Sequence, residues 1–500
     1  MMRFWPAFLL SSLVTLSACG GPENEPLGVV LIGEADHLQG AGAGAGAGTG
    51  TNPALSRAGQ LVRGATAEGL VAFSPTGDVI PAVAERWIVT DDGLSYIFRL
   101  RNANWPSGED ITAGDIQARL ANRLESLEAT ALGYDLAKIT EVREMTGRVI
   151  EIRLASPMPD FLRLLAQPEM GFLRDGQGAG PMLGAKDENS DAIALSPLAP
   201  EVRGFPARRN WDALVRPLIV QALPARQAVD AFAEGEVDLV LGGDISTFPM
   251  ADLGPLSRAN IRLDAPQGLF GLVFQSDDGL FANPDLRAAM AMAIDREALI
   301  QPFNIGGWQA SVSIVPRGLW TDIEPQAASW STLSLEQRRQ IARERIANFA
   351  VESGEEPKVA IGLPQGVGSD MLFEQLASDF ALAGLEARQV GLGQGADLEL
   401  HDRVARFNAP RWYLNQFHCE IRPGPCSILA DGLVDESITE RDPAKKAELL
   451  ARAALALQEE SIFIGFGAPI RWSLVRSDVD AFEENVWGVH PLFPLSGAPI

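Results

Sequence analysis

The stretch from residue 81 to residue 125 constrains the fold more than any other. Trp87 and Val89 stand two apart, Asp92-Gly93 supplies a turn, and Leu94, Tyr96, Phe98 and Leu100 alternate with their neighbours. A period of two on both sides of an Asp-Gly turn predicts a β-hairpin with one buried face. Trp105-Pro106-Ser107-Gly108 then breaks the chain. Thr112 with Asp115 at the N3 position predicts a capped helix start, with Ile111 and Ile116 placed to form a hydrophobic staple. Asn283-Pro284 ahead of Leu286, Ala289, Met290, Ala293 and Ile294 predicts a second helix. Asp442-Pro443 ahead of Leu449, Leu450, Ala453, Ala454 and Leu457 predicts a third. These apolar stripes are core faces. Strands mixed with helices throughout, and no repeat of 20–50 residues, indicate an α/β or mixed layered fold.

The chain has 500 residues, enough for two or three packed cores. Its 41 Lys+Arg against 65 Asp+Glu leave a net charge of -24, which phosphate backbones would repel, so no nucleic-acid partner is expected. Beyond the first twenty residues no apolar run reaches the ~18 to 20 needed to cross a bilayer. Arg3 followed by the apolar stretch Phe4–Thr15 reads as a secretory signal over residues 1–18. The tetrad Leu16-Ser17-Ala18-Cys19 resembles the bacterial lipobox, which makes Cys19 the expected site of lipidation and residues 19–27 a tether. Plain signal cleavage with an incidental Cys19 is the alternative. The Ala-Gly stretch through Gly48 has neither a GxGxxG register nor a following Lys-Ser/Thr, and reads as a flexible loop rather than a phosphate cradle.

With Cys19 carrying lipid, Cys419 and Cys426 remain, seven residues apart. In an oxidising compartment this spacing reads as a disulfide closing a tight loop. A metal site built from His418, Cys419 and Cys426, or two free thiols, are the competing readings; the metal reading lacks a fourth ligand and the zinc-site CxxC spacing. No GxSxG, HExxH, Walker or EF-hand pattern occurs, and His37, His401, His418 and His490 are scattered. The sequence offers no positive reason to expect an enzyme, and no metal or other cofactor is expected.

Several segments together closely resemble the extracellular solute-binding proteins of ABC importers, oligopeptide/dipeptide type (family 5). They are Gly69-Leu70-Val71, Pro81 through Trp87, Asp91 through Arg101 and Trp105-Pro106-Ser107-Gly108 with Ile111-Thr112-Ala113. Further along come Gly178-Ala179-Gly180-Pro181, Phe232 through Asp238, Leu286 through Ile300 as one helix, and Val315 through Trp320. The resemblance implies an α/β, two-lobed periplasmic binding protein fold with an extra subdomain inserted in the first lobe. Residues 28–69, 191–268 and 475–500 would form the first lobe, 70–190 the insert and 269–474 the second lobe. The hinge would lie near residues 268 and 475. It also implies a monomer that captures a peptide-like or anionic solute between the lobes. Delivery would be to membrane permease subunits, from a lipid anchor on the periplasmic side of the envelope. A ligand sensor, or an enzyme or chaperone on the same scaffold, is the alternative.

Peptide-binding members carry an Asp in the cleft that pairs with a peptide's α-ammonium. The matching stretch here is Ala405 through Asn415, and it places Arg406 at that position. A guanidinium would repel an ammonium and favour a carboxylate or phosphate. Pairing of Arg406 with Asp402 is the alternative reading. The resemblance further places Asn408, Arg411, Trp412, Tyr413 and Trp320 near the cleft as expected ligand contacts. The family's usual LDP near the first strand is absent, with Asp36-His37-Leu38 and the Ala-Gly stretch in its place.

Overall fold

A computed structural model describes residues 25–33, 38, 55–186, 190–251, 259–320, 323 and 326–497. The signal, Cys19, residues 34–37 and the Ala-Gly stretch lie outside the described residues.

The first sheet has seven strands in the order Met182–Lys186, Ile193–Pro197, Leu218–Leu223, Leu27–Ile32, Leu239–Asp244, Arg471–Val475 and Ile261–Asp264. Its central strand, Leu27–Ile32, runs parallel to both neighbours. An aliphatic run buried on both faces is what such a position needs. Helices cover the two faces. Ala58, Val62 and Ala65 of helix Arg57–Thr66 pack with Val29, Leu31 and Val220 on one side. Ala228, Val229 and Phe232 of helix Ala225–Glu234 pack with Val30, Val240 and Leu474 on the other. The second helix ends at Gly235, whose φ of 83° suits a residue without a Cβ.

The second sheet runs Glu386–Gly391, Lys358–Leu363, Leu398–Val404, Gly268–Phe274, Phe463–Gly467. Every residue of Gly268–Phe274 is buried. The chain therefore crosses between the sheets twice, after Asp264 and after Gly467. The second crossing comes earlier than the expected 475, because Arg471–Val475 pairs with Leu239–Asp244 in the first sheet. Likewise Met182–Lys186, expected within the insert, pairs with Ile193–Pro197 at the first sheet's edge.

The insert holds a four-stranded antiparallel sheet in the order Ala84–Val89, Ser95–Leu100, Val149–Leu154, Ile139–Thr146. Tyr96, Phe98 and Leu100 are buried, as their alternation predicts. Ala84–Val89 departs from expectation: it is the sheet's edge strand, so Trp87 is only half-buried and Val89 is exposed. Thr112 caps helix Ala113–Leu127, and Ile111 and Ile116 are both buried beneath it. The insert's core is continuous with residues 405–463 of the second lobe: Phe98, Trp105 and Ile116 belong to one apolar cluster with Trp412, Tyr413 and Leu433.

Helix Pro284–Ala293 starts at Asn283 with Pro at N1, and helix Pro443–Glu459 starts at Asp442. The single helix expected through Ile300 is two. Ile294 is extended, and Asp295 accepts from the Ala298 N–H to start a new helix, Arg296–Ile300. The Asp379 carboxylate takes the Asp295 N–H at 2.9 Å, which satisfies the break.

Candidate ligand-binding site

A cavity of about 360 Å³ lies between the two sheets and the insert. Its lining comes from all three units: Arg57 and Gln60 on the first-sheet helix, Phe73 and Arg163 in the insert, Asp402 through Arg406 on the second sheet. The size falls at the small end of the ~300–1,000 Å³ usual for small-molecule sites.

The floor is a row of charges at the end of the first sheet. Asp244, Arg471 and Asp264 are register partners across three adjacent strands. Arg471 reaches across to the second sheet, where its guanidinium meets Asp402 at 2.8 and 2.9 Å. Arg57 pairs with Asp244 at 3.0 Å and lies 3.9 Å from Asp402. Burial opposes ionisation of Asp244, yet Arg57 and Arg471 outweigh it and hold the carboxyl below its ordinary value. Asp264 is taken by His490 at 2.7 Å. Glu68, also in the lining, is shared by Arg101 at 3.0 Å and Arg203 at 3.2 Å.

The walls are aromatic. The Arg163 guanidinium lies 3.4 Å from the ring centre of Trp487 and 5.1 Å from that of Phe73, and donates to the Gly77 carbonyl at 2.8 Å. Trp412 lines the cavity, edge-on to Tyr413 at 4.8 Å.

The expected ligand residues separate into two groups. Arg406 and Trp412 line the cavity; Asn408, Arg411, Tyr413 and Trp320 do not. Arg406 does not pair with Asp402. It meets Asp135 of the insert at 3.3 Å, while Asp402 is occupied by Arg471. Arg411 is buried and donates to the carbonyls of Tyr134 and Asp135 at 2.8 and 2.7 Å, tying the second lobe to the insert. Tyr413 is wholly buried, and burial pushes its phenol up from its ordinary value. Asn408 is exposed. Trp320 lines a separate small cavity in the second lobe, with Ala291, Trp330 and Leu457.

Arg57, Asp244, Arg403 and Arg471 were not expected. A signal exists for three of them: Asp244 and Arg471 stand at strand ends and Arg57 at a helix start, where ligands of open α/β sheets gather, whereas Arg403 lies inside the mixed strand Leu398–Val404. Cys419 and Cys426 form a disulfide, with Cα atoms 5.3 Å apart. His418 stacks on Tyr134 with ring centres 4.0 Å apart, and no three metal-ligating side chains cluster among the described residues.

Residues 78–198 match the middle region of the bacterial extracellular solute-binding proteins, family 5. The dipeptide-binding protein DppE of Bacillus subtilis is 24% identical over 271 residues, so the chain spans about half the length of that relative. Over residues 78–198 this chain resembles the middle region of the family 5 extracellular solute-binding proteins. Solved structures share its fold across nearly the whole length. OppA of Haemophilus influenzae, complexed with the peptide RPPGFSPFR, superposes with a TM-score of 0.77 at 16% identity, covering 94% of this chain and 98% of that one. AgaA of A. tumefaciens, complexed with agropinic acid, superposes at 0.69 and 19% identity, covering 95% and 97%. The architecture of this chain is therefore the two-lobed binding-protein fold, with the cavity between its lobes.

Proposed function

We propose that this protein is the solute-capturing component of an ABC importer, working on the periplasmic side of the envelope and held to the membrane by lipid on Cys19. One observation carries the reading: the cavity is lined from both sheets and the insert at once, so a solute filling it touches every unit. Such a ligand favours the closed arrangement, because it makes contacts there that an open cleft cannot offer. Lipid attachment raises the local concentration of the loaded protein at its permease. On this reading residues 28–69 with the later first-sheet strands form one jaw, the second sheet forms the other, and the protein acts as a monomer.

Binding without chemistry fits the side chains. Ser156 receives a hydrogen bond from Lys138 at 2.7 Å, and burial pulls Lys138 down to about 6. That pair could resemble a nucleophile and its base, but Ser156 is sealed from solvent and its hydroxyl donates to the Ile438 carbonyl.

The test pairs binding with transport. The full chain in detergent is screened by thermal shift against free peptides, N-blocked peptides, dicarboxylates and sugars. A ligand at ~100 times its Kd adds roughly 2.7 kcal/mol, a readable shift. We expect one class to stabilise the protein, and deletion of the gene to abolish cellular uptake of that class. Binding with unimpaired uptake would make the protein a sensor instead. Cys19→Ser is expected to release the protein from membranes into the soluble fraction.

A further inference from the structure

The cavity belongs to a chain of net charge -24, yet among the described residues five arginines line it against three carboxylates. The carboxylates are already committed: Glu68 to Arg101 and Arg203, Asp264 to His490, Asp402 to Arg471. Four of the arginines have partners as well. Arg471 has Asp402, Arg57 has Asp244, Arg406 has Asp135, and Arg163 has the Gly77 carbonyl and two aromatic faces.

Arg403 is different. Its side chain is open to the cavity, and among the described residues it makes no ion pair and no side-chain hydrogen bond. The strongest charges acting on it are those of Arg57, Arg406 and Arg471, opposed by Asp402. Its surroundings, the enclosing walls of the cleft first and then those like charges, lower its proton affinity although the side chain itself stays open to solvent. Crowded cations are favourable only when something negative enters among them, and guanidinium forks match the two oxygens of an oxyanion.

We propose that Arg403 is the principal ligand contact of this cleft and that, with Arg57, it takes an oxyanion group, carboxylate or phosphate, of a small solute. This rests on the solute-binding reading above and names the ligand's chemical class. Arg403 stands on the second-sheet strand Leu398–Val404 and Arg57 on a helix packed against the first sheet. One anion between them therefore draws the two lobes together. Phe73, Trp412 and Trp487 offer flat surfaces for the apolar body of the same solute. Arg406, the residue singled out by resemblance, is a positioning residue tied to the insert through Asp135.

The experiment measures binding to the full chain in detergent by calorimetry. The probes are succinate, N-acetyl-dialanine and glucose 6-phosphate, each beside its uncharged counterpart (succinamide, N-acetyl-dialanine amide, glucose), together with free dialanine. At least one charged probe is expected to bind ~10-fold or more tighter than its counterpart, the scale of a charge-assisted hydrogen bond. The carboxylates against the phosphate ester then decide the kind of oxyanion. Arg403→Gln is expected to lose about tenfold in that affinity, Arg403→Lys less, and Arg86→Gln on the exposed hairpin nothing. Without ligand, Arg403→Gln is expected to melt no lower than the parent, since no partner is lost; a lower melting point would mark a structural role and overturn the proposal. Unchanged affinity of Arg403→Gln for the charged probe would overturn it too. Preference for free dialanine or for uncharged probes would overturn it while leaving the solute-binding reading intact. Absence of binding by every probe also overturns it, and the uptake phenotype judges the transport reading separately.

Discussion

At the scale of single residues, Asp135 shows how a charge can be placed against its own preference. It is wholly buried, accepting from Asn415 at 2.8 Å and from Arg406 at 3.3 Å. Burial outweighs the nearby Arg406 and Arg411 and pushes its carboxyl up to about 6 from 3.8. The folded state thus holds a proton between about pH 4 and 6 that the unfolded chain has released, so stability falls as pH rises through that window. Asp135→Asn keeps an acceptor without titrating. Denaturant unfolding from pH 4 to 7 should show a flatter profile for the variant, and an identical slope would mean that Asp135 stays ionised in the fold. Residues of this kind were the least legible in the sequence. Arg406 stood out because a local motif placed it where the family carries an acid. Arg403, three positions earlier, lies in a strand whose alternation gives no hint of the cations converging from other elements. Arg411 and Tyr413 sit in a stretch that lines the family's cleft, yet the short helix Pro410–Asn415 turns them into the core.

At the scale of elements, local signals did well where one interaction decides the outcome. Thr112, Asn283 and Asp442 each cap the helix that their neighbours predict. The break at Asp295 was missed because a capping Asp inside an apolar stripe looks helical until Asp379 is brought to it from 84 residues away. The hairpin was half right: Asp-Gly fixed its turn, but which strand would be the sheet's edge depends on Val149–Leu154 joining the other side. The pair Gly178 and Gly180 has a physical reason that its motif alone does not reveal. The Gly180 N–H donates to the Thr66 carbonyl at 2.9 Å, and a Cβ at Gly180 would collide with that same peptide. Thr66 ends the helix whose first residue is Arg57. Gly180→Ala is therefore expected to cost about 1–3 kcal/mol by overpacking, measured by urea unfolding. A variant as stable as the parent would mean that the helix end yields freely.

At the scale of the whole molecule, the lobes are joined by the Arg471–Asp402 pair beside the second crossing. Both side chains are about nine-tenths buried, so removing Arg471 takes from Asp402 its closest counter-charge and leaves only the longer approach of Arg57 at 3.9 Å. Arg471→Gln is expected to cost about 3–5 kcal/mol in thermal or chemical unfolding. It should also enlarge the radius measured by small-angle scattering, because the pair links strands of different sheets. An unchanged melting point and radius would show that the crossings alone hold the lobes in place. Nothing in residues 471–475 themselves tells which sheet they will join. An alternating strand fits either, and the choice rests on a partner more than two hundred residues away at Leu239–Asp244. The two-lobed plan was legible only as a resemblance carried by many small motifs.

The two sheets differ in how much chain each must wait for. All five strands of the second fall within residues 268–467, an unbroken stretch that can begin collapsing as a block. The first sheet draws on both ends of the polypeptide: Leu27–Ile32 needs Leu218–Leu223 and Leu239–Asp244, and the latter needs Arg471–Val475. Loop closure over such distances is slow. Made from the N-terminus onward, Leu27–Ile32 is an early strand whose sheet is among the last parts to be completed. Until then its aliphatic run lies open to any passing edge, and a partner that shields unfinished chains has its clearest target there.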